Sequence, residues 1–238
     1  MSERMHRVKR AVIMAAGIGK RLRPVTLSVP KPMVPVNGER MIETVIKALM
    51  QNGISEIYIV VGYKKEQFSS ITEIYPNITL IENPWYDKYN NISSLYAARE
   101  HISDCMILDG DQIIYEPDIL SPDFRLSGYN AVWRENETDE WLLDTDNDKR
   151  ILACHRDGGK HGWQLYSVSR WNEEDGKRLA RHVEKEFESG NRQIYWDDIP
   201  LFCYPKEYEL GVFPMNDRDI IEIDSFDELV KLDPSYAL

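Results

Sequence analysis

The stretch AVIMAAGIGKRLRPVTLSVPKPMVP, residues 11–35, decides how the rest of the chain is read. Its opening run, Ala11-Val12-Ile13-Met14, is apolar without interruption and predicts a strand buried on both faces. Glycines follow at Gly17 and Gly19, then Arg21 and Arg23, then Lys31 between Pro30 and Pro32. Small residues let backbone N–H groups approach ligand oxygens, and fixed cations neutralise charge. Strand, glycine loop and cations in this order therefore predict a polyphosphate site. The loop is not a P-loop, because the GK[ST] ending is missing. It is a poor dinucleotide fingerprint, because the third glycine is absent. Proline on both sides predicts extended backbone at Lys31 and a fixed ammonium.

Outward from the loop, the first half alternates helix and strand. Met41, Ile42, Val45, Ile46, Leu49 and Met50 recur at helical spacing, with Gly53 as the stop. A strand is predicted at residues 56–61 and a helix at 64–75, with Phe68, Ile71 and Ile74 on one face. A short strand at 78–81 precedes a helix at 91–100 capped by Asn91 or Ser93. The apolar strand 105–108 runs directly into Asp109-Gly110-Asp111. This alternation predicts an α/β fold: a Rossmann-like, mostly parallel sheet with helices on both faces. Ligands bind beyond the carboxyl ends of such strands, so the glycine loop and Asp109–Asp111 are expected to face one crevice.

The second half reads as a small antiparallel or mixed extension on the substrate side, with strands at 129–134, 140–144, 150–154 and 163–169. A long helix starts at Asn172, carries Leu179, Val183 and Phe187 on its core face, and stops near Gly190. A short helix is expected from Tyr195 to about Tyr204, then strands at 210–214 and 219–223. Ser225 to Glu228 forms a capping box for the last helix. The expected organisation is a single domain over 1–238, with a nucleotide-binding half at 10–125 and a substrate-binding half at 126–238.

The net charge of −11 argues against a general nucleic-acid or anionic-membrane surface. Against that background the cluster Lys20, Arg21, Arg23 and Lys31 stands out. No apolar run approaches the roughly 20 residues that span a bilayer. The N-terminal MSERMHRVKR lacks an apolar core after its charges, so it is read as a solvated lead-in rather than a secretory signal. Cys105, Cys154 and Cys203 lie far apart with no CxxC pair, which points to reduced thiols in a cytoplasmic protein and away from zinc. No histidine has metal-ligand or nucleophile-partner spacing, and no covalent mechanism has a candidate.

Two carboxylate pairs end apolar strands. Asp109 and Asp111 fit either a turn or the ligands of a hard cation such as Mg²⁺. Glu222 and Asp224 fall on one face by alternation, though Asp224 also fits the turn before Ser225. Trp133, Trp141, Trp163, Tyr166, Trp171, Tyr195 and Trp196 crowd the second half, with Asp197 and Asp198 adjoining the last two. Such a group is either core or an ammonium site built on cation–π attraction and charge.

Ala15, Ala16, Gly17, Gly19, Arg21, Leu22, Pro24 and Thr26, followed by Pro30-Lys31, match A-A-G-x-G-x-R-L-x-P-x-T…P-K. This resembles the nucleotidyltransferases that activate sugar phosphates and related phosphorylated compounds. NPWYDKYNNISSLYAAR (83–99), Asp109-Gly110-Asp111, TDEWLL (138–143), IYWDD (194–198) and IEIDSFDEL (221–229) are similar to one branch. That branch is the bacterial CTP:phosphocholine cytidylyltransferases, which supply CDP-choline for surface glycans.

The resemblance implies that Ala15, Ala16, Gly17, Gly19, Lys20 and Asp109 belong to a CTP site, with Gly62, Tyr63, Asn91 and Ser94 bordering base and ribose. It implies that Arg21 and Lys31 are the catalytic cations on phosphate oxygens, and that Asp111 and Asp224, with Glu222 as a further candidate, bind Mg²⁺. Trp141, Tyr195, Trp196 and Asp197 fall where the family builds its alcohol-phosphate pocket. Lys20 departs from the pattern, since relatives often have a small residue there. The implied partners are CTP and phosphocholine, without nucleic acid or membrane, in a monomer or homodimer. A cytidylyltransferase for 2-aminoethylphosphonate or another amino-phosphate is the alternative, as is a sugar-1-phosphate nucleotidyltransferase. A sugar pocket would offer uncharged hydrogen-bonding groups rather than tryptophans and acids. A non-catalytic nucleotide-binding regulator would have lost the metal carboxylates, and Asp111 and Asp224 are both present.

Overall fold

In the computed structural model, which describes residues 5–237, the chain is built around strand β1 (Arg10–Ala15). Side chains of a strand alternate between faces. Accordingly Ala11, Ile13 and Ala15 enter one apolar layer, and Val12 and Met14 the other. There follow α1 (Met41–Gln51), β2 (Glu56–Val61), α2 (Ser69–Ile74), β3 (Ile78–Glu82), α3 (Ile92–Ala97) and β4 (Cys105–Asp109). β1 pairs in parallel with β2 and β4, and β2 with β3, which gives the order β3-β2-β1-β4. Helix α1 buries Ile42, Ile46 and Leu49 in the layer of Ile13, whereas α3 buries Ile92 and Leu95 in the layer of Val12. The mostly parallel sheet with helices on both faces is thus the observed architecture.

The chain continues through β5 (Gln112–Ile114), β6 (Gly128–Arg134), β7 (Leu142–Thr145), β8 (Ile151–His155) and β9 (Gly162–Trp171). It then forms α4 (Glu173–Ser189), β10 (Gly211–Pro214), β11 (Ile220–Glu222) and α5 (Phe226–Leu232). β9 is the junction: it runs antiparallel to β4, β6 and β7, and β6 pairs in parallel with β10. With β8 beside β7, these strands complete a nine-stranded mixed sheet. α4 starts at Asn172, whose side-chain oxygen accepts the Asp175 N–H at 2.9 Å, and ends at Gly190. Its face of Leu179, Val183 and Phe187 is buried against the sheet layer that holds Val12.

Four local expectations change. Residues 64–75 are not one helix: a 3₁₀ turn (Lys65–Phe68) precedes α2, so Phe68 and Ile71 are buried but Ile74 is 56% exposed. The N-terminal lead-in is not merely solvated, because His6–Arg7 pair with Asp123–Phe124 and Arg7 meets Asp123 at 2.7 Å; residues 1–4 lie outside the described residues. The helix expected from Tyr195 is a π-helical turn over Ile199–Cys203. β5 was not expected at all. It pairs with β11 in a separate antiparallel ribbon, with Gln112 opposite Glu222. Among the described residues no helix is long and apolar enough to cross a membrane.

Leu179 is fully buried between α4 and the sheet. Leu179→Ala is expected to cost about 2–5 kcal/mol of stability by leaving a cavity. Urea unfolding should show a lower midpoint at an unchanged slope.

Candidate active site

A cleft of about 620 Å³ opens at the carboxyl ends of β1 and β4. Ala15, Gly17, Gly19, Lys20, Arg21 and Lys31 line one side, and Asp109, Asp111, Glu222 and Asp224 the other. An adjoining recess of about 280 Å³ shares Gly17, Tyr86 and Asp109 with it and adds Ala16, Asn91 and Ser94. The structure thus joins the two segments that the strand pattern assigned to one crevice.

The loop owes its shape to close packing. Gly19 has φ +64°, and a Cβ there would lie 2.8 Å from the Cβ of Lys31. Thr26 Oγ1 donates to the Gly19 carbonyl at 2.8 Å and fixes the turn. A Cβ on Gly17 would meet nothing within 4 Å, so its backbone faces open cleft. Gly62 and Tyr63 act from behind the loop rather than lining the cleft. A Cβ on Gly62 would lie 2.6 Å from the Cβ of Tyr86. Tyr63 donates its N–H to Ala16 at 3.0 Å and its hydroxyl to the Thr26 carbonyl at 2.9 Å. Asn91 and Ser94 spend polar atoms on the fold: Asn91 Oδ1 accepts the Trp196 N–H at 2.8 Å, and Ser94 Oγ accepts from Asn83 at 3.0 Å.

Lys31 is not extended. It opens a 3₁₀ turn (Lys31–Met33) between extended Pro30 and Val34, and its position is set by charge instead. Its Nζ lies 2.6 Å from Asp111 Oδ2 and 3.0 Å from Asp224 Oδ1, and the residue is 8% exposed. Burial alone would lower its pKa; the two carboxylates more than reverse this and hold it charged. Arg21 reaches the same Asp224 oxygen at 2.8 Å from the solvent side.

The β5–β11 ribbon explains how the carboxylates converge. Its register sets Gln112 opposite Glu222, which places Asp111 beside Glu222. Asp109, Asp111 and Glu222 each present a carboxylate oxygen, all within 4.8 Å of one another. Asp224 stands outside this trio, tied to Arg21 and Lys31, while Asp111 belongs to both groups. Burial raises the pKa of Asp109 well above the usual range, reinforced by Asp111 and Asp197; the Ser167 hydroxyl and Lys31 oppose the shift. Glu222 is raised by burial and then by Asp111, Asp109 and Asp224. An all-carboxylate donor set with this much mutual repulsion fits a hard divalent cation rather than a thiophilic one.

The aromatic residues divide. Trp196 is 2% exposed and packs on Tyr129 and Trp171 at about 6 Å, so it is a core residue and not a lining one. Asp197 is buried as well. Its pKa is pushed up to about 7, chiefly by burial, with the Tyr129 hydroxyl opposing the shift. Trp141 remains accessible and meets Tyr195 edge to face at 5.7 Å and Phe202 at 5.6 Å. The guanidinium of Arg156 lies over this group and pairs with Asp198. Sequence reasoning missed Phe202 and Arg156: one sits in an apolar run that reads as core, the other in a polar turn with no motif. These residues do not line the cleft, but Gln193, two residues before Tyr195, does.

The raised Asp109 and Glu222 titrate in opposition to folding. Their stabilising contribution is complete below the ordinary carboxylate range of about 4 and is lost as pH rises through the raised values. In chelator-treated protein, Asp109→Asn is expected to melt roughly 2–4 °C above wild type at pH 8, with the gap closing toward pH 4. An equal or lower melting temperature at pH 8 would remove the repulsion argument.

A family model described as Nucleotidyl transferase matches residues 10–120. The chain is 38% identical over 230 residues to a 2-aminoethylphosphonate cytidylyltransferase of Lancefieldella rimae, covering 95% of this chain and 93% of that one. It is 35% identical over 225 residues to a choline-phosphate cytidylyltransferase of Streptococcus pneumoniae, covering 94% and 96%. The solved CTP:phosphocholine cytidylyltransferase of Streptococcus pneumoniae superposes with a TM-score of 0.86 at 35% identity, over 96% of this chain and 99% of that one. Similarity of this extent, over nearly the full length of each relative, places the chain among the cytidylyltransferases of the nucleotidyltransferase family.

Proposed function

We propose that the chain transfers CMP from CTP to phosphocholine, forming CDP-choline and pyrophosphate, with Mg²⁺ as its metal. The observation that most supports this is the meeting of the glycine loop, Lys31 and the Asp109–Asp111–Glu222 carboxylates in one cleft. CTP lies along Ala15, Ala16, Gly17, Gly19 and Lys20, with Asn91 and Ser94 toward base and ribose. Gly62 and Tyr63 brace the loop. Arg21 and Lys31 are the catalytic cations, neutralising the phosphates as two anions are brought together.

A phosphate oxygen of phosphocholine attacks the α-phosphorus in line. The bond between the α-phosphorus and its bridging oxygen to the β-phosphate breaks, and pyrophosphate leaves with the electron pair. The second pKa of a phosphate monoester is about 6, so the nucleophile is already anionic near neutral pH and needs no general base. Asp111 and Asp224 already share one cation, the Lys31 ammonium, and with Glu222 they are the proposed ligands of Mg²⁺. Held there, the ion would supply positive charge for the α-phosphate and the leaving group. Lys31 is then left to the phosphate oxygens.

The trimethylammonium end is assigned to Trp141 and Tyr195, backed by Trp196 and Asp197. A quaternary ammonium cannot donate hydrogen bonds and is recognised by ring faces. The second reading, 2-aminoethylphosphonate, is favoured by the 38% identical relative; its primary ammonium would require hydrogen-bonding carboxylates. The separate free thiols of Cys105, Cys154 and Cys203 support a cytoplasmic setting.

Pyrophosphate release is to be measured with four nucleotides against phosphocholine, phosphoethanolamine, 2-aminoethylphosphonate and a hexose-1-phosphate. CTP with phosphocholine is expected to give the highest kcat/KM; a higher value with 2-aminoethylphosphonate selects the second reading. Lys31→Met is expected to lower kcat/KM by about 10²–10³-fold. Asp111→Asn and chelation should each abolish turnover, with Mg²⁺ restoring only the chelated wild type.

A further inference from the structure

Arg156 covers Trp141, one of the rings to which the ammonium end is assigned. Its guanidinium carbon is 4.1 Å from the ring centroid of Phe202 and 5.3 Å from that of Trp141. Its counter-charge is Asp198, whose side chain is 2% exposed and accepts the Tyr195 N–H at 2.9 Å. Aromatic faces and one buried carboxylate therefore converge on a single cation, the chemistry that recognises a quaternary ammonium. Two cations over the same rings repel, and one carboxylate neutralises only one of them.

We propose that Arg156 is a tethered stand-in for the ammonium group of the substrate: it occupies the aromatic site between turnovers, and the ligand must displace it. The inference rests on the phosphocholine reading above. Arg156 is suited to exchange, because its side chain is 45% exposed and its guanidinium can leave the rings for water. Asp198 is not, since a buried carboxylate without a cation is strongly disfavoured. Burial already draws the Asp198 pKa upward, and Arg156 opposes this. The stand-in thus keeps the carboxylate ionised for the incoming ammonium while competing with it, which makes Arg156 a specificity-determining residue.

The test compares wild type, Arg156→Gln and Arg156→Lys. In pyrophosphate release, Arg156→Gln should lower the KM for phosphocholine by about three- to thirtyfold, the range of one desolvated cation–π contact, without moving the KM for CTP. Arg156→Lys, which keeps a cation, should stay near wild type. The uncharged isostere 3,3-dimethylbutyl phosphate should gain less than phosphocholine. A KM for phosphocholine that is unchanged or raised in Arg156→Gln overturns the proposal, as does an equal gain for the isostere. Binding of choline alone, followed by tryptophan fluorescence, is read without turnover. Tighter binding to Arg156→Gln than to wild type supports the stand-in even where phosphocholine is not turned over, a result that sinks only the substrate assignment. Equal or weaker binding overturns it. Melting curves establish that each variant is folded, and Arg156→Met replaces Arg156→Gln if the latter melts early.

Discussion

The Lys31 ammonium, held between Asp111 and Asp224, is the contact on which the cleft depends. It explains the glycine loop, because the stem of Lys31 runs so close to Gly19 that a Cβ there would sit 2.8 Å from it. It explains the position of Arg21, which shares the Asp224 oxygen from outside. It also joins the loop after β1 to the two segments that the β5–β11 ribbon already brings together, the turn after β4 and the residues after β11. Such a buried ion pair adds little net stability once desolvation is counted. Its effect here is to fix which loop faces which carboxylate.

The carboxylates themselves break the ordinary rules of a stable interior. Asp109, Asp111 and Glu222 crowd a half-buried site, and burial first, with mutual repulsion added, raises the pKa values of Asp109 and Glu222. Places where packing and charge disagree with stability are where function is expected. A protein selected only for its fold would replace one of them with an amide.

Much of this was legible in the residues. The apolar runs of β1, β2 and β4 and the four-residue spacing of Leu179, Val183 and Phe187 announce their elements, because burial imposes a period on long segments. The loop and Asp109–Asp111 could be placed together because ligand sites follow strand ends in such sheets. β5 was hidden for the opposite reason. Gln112-Ile113-Ile114 is too short to show a period, and its partner is distant in the chain. Without that pairing, Asp109 could not be grouped with Glu222. Trp196 falls in the pocket only by the resemblance, and nothing in the local pattern separates a core indole from a lining one. Arg156 was invisible because a guanidinium over rings is a relation between side chains from distant segments, not a motif.

The hydrogen bonds that complete the cleft span very long stretches of chain: Lys31 to Asp224 is a separation of 193 residues, and Arg21 to Asp224 one of 203. Contacts of that range must overcome the entropy of closing a long loop, and they form after the local sheet that brings them near. The strand order β3-β2-β1-β4 can therefore stand before the β5–β11 ribbon docks. Opening that ribbon would separate Asp224 and Glu222 from the loop and would also expose Ile114 and Ile220, which pack in the core of β1 and α1. The charge balance of the cleft is thus tied to a ribbon that shares its core with β1 and α1.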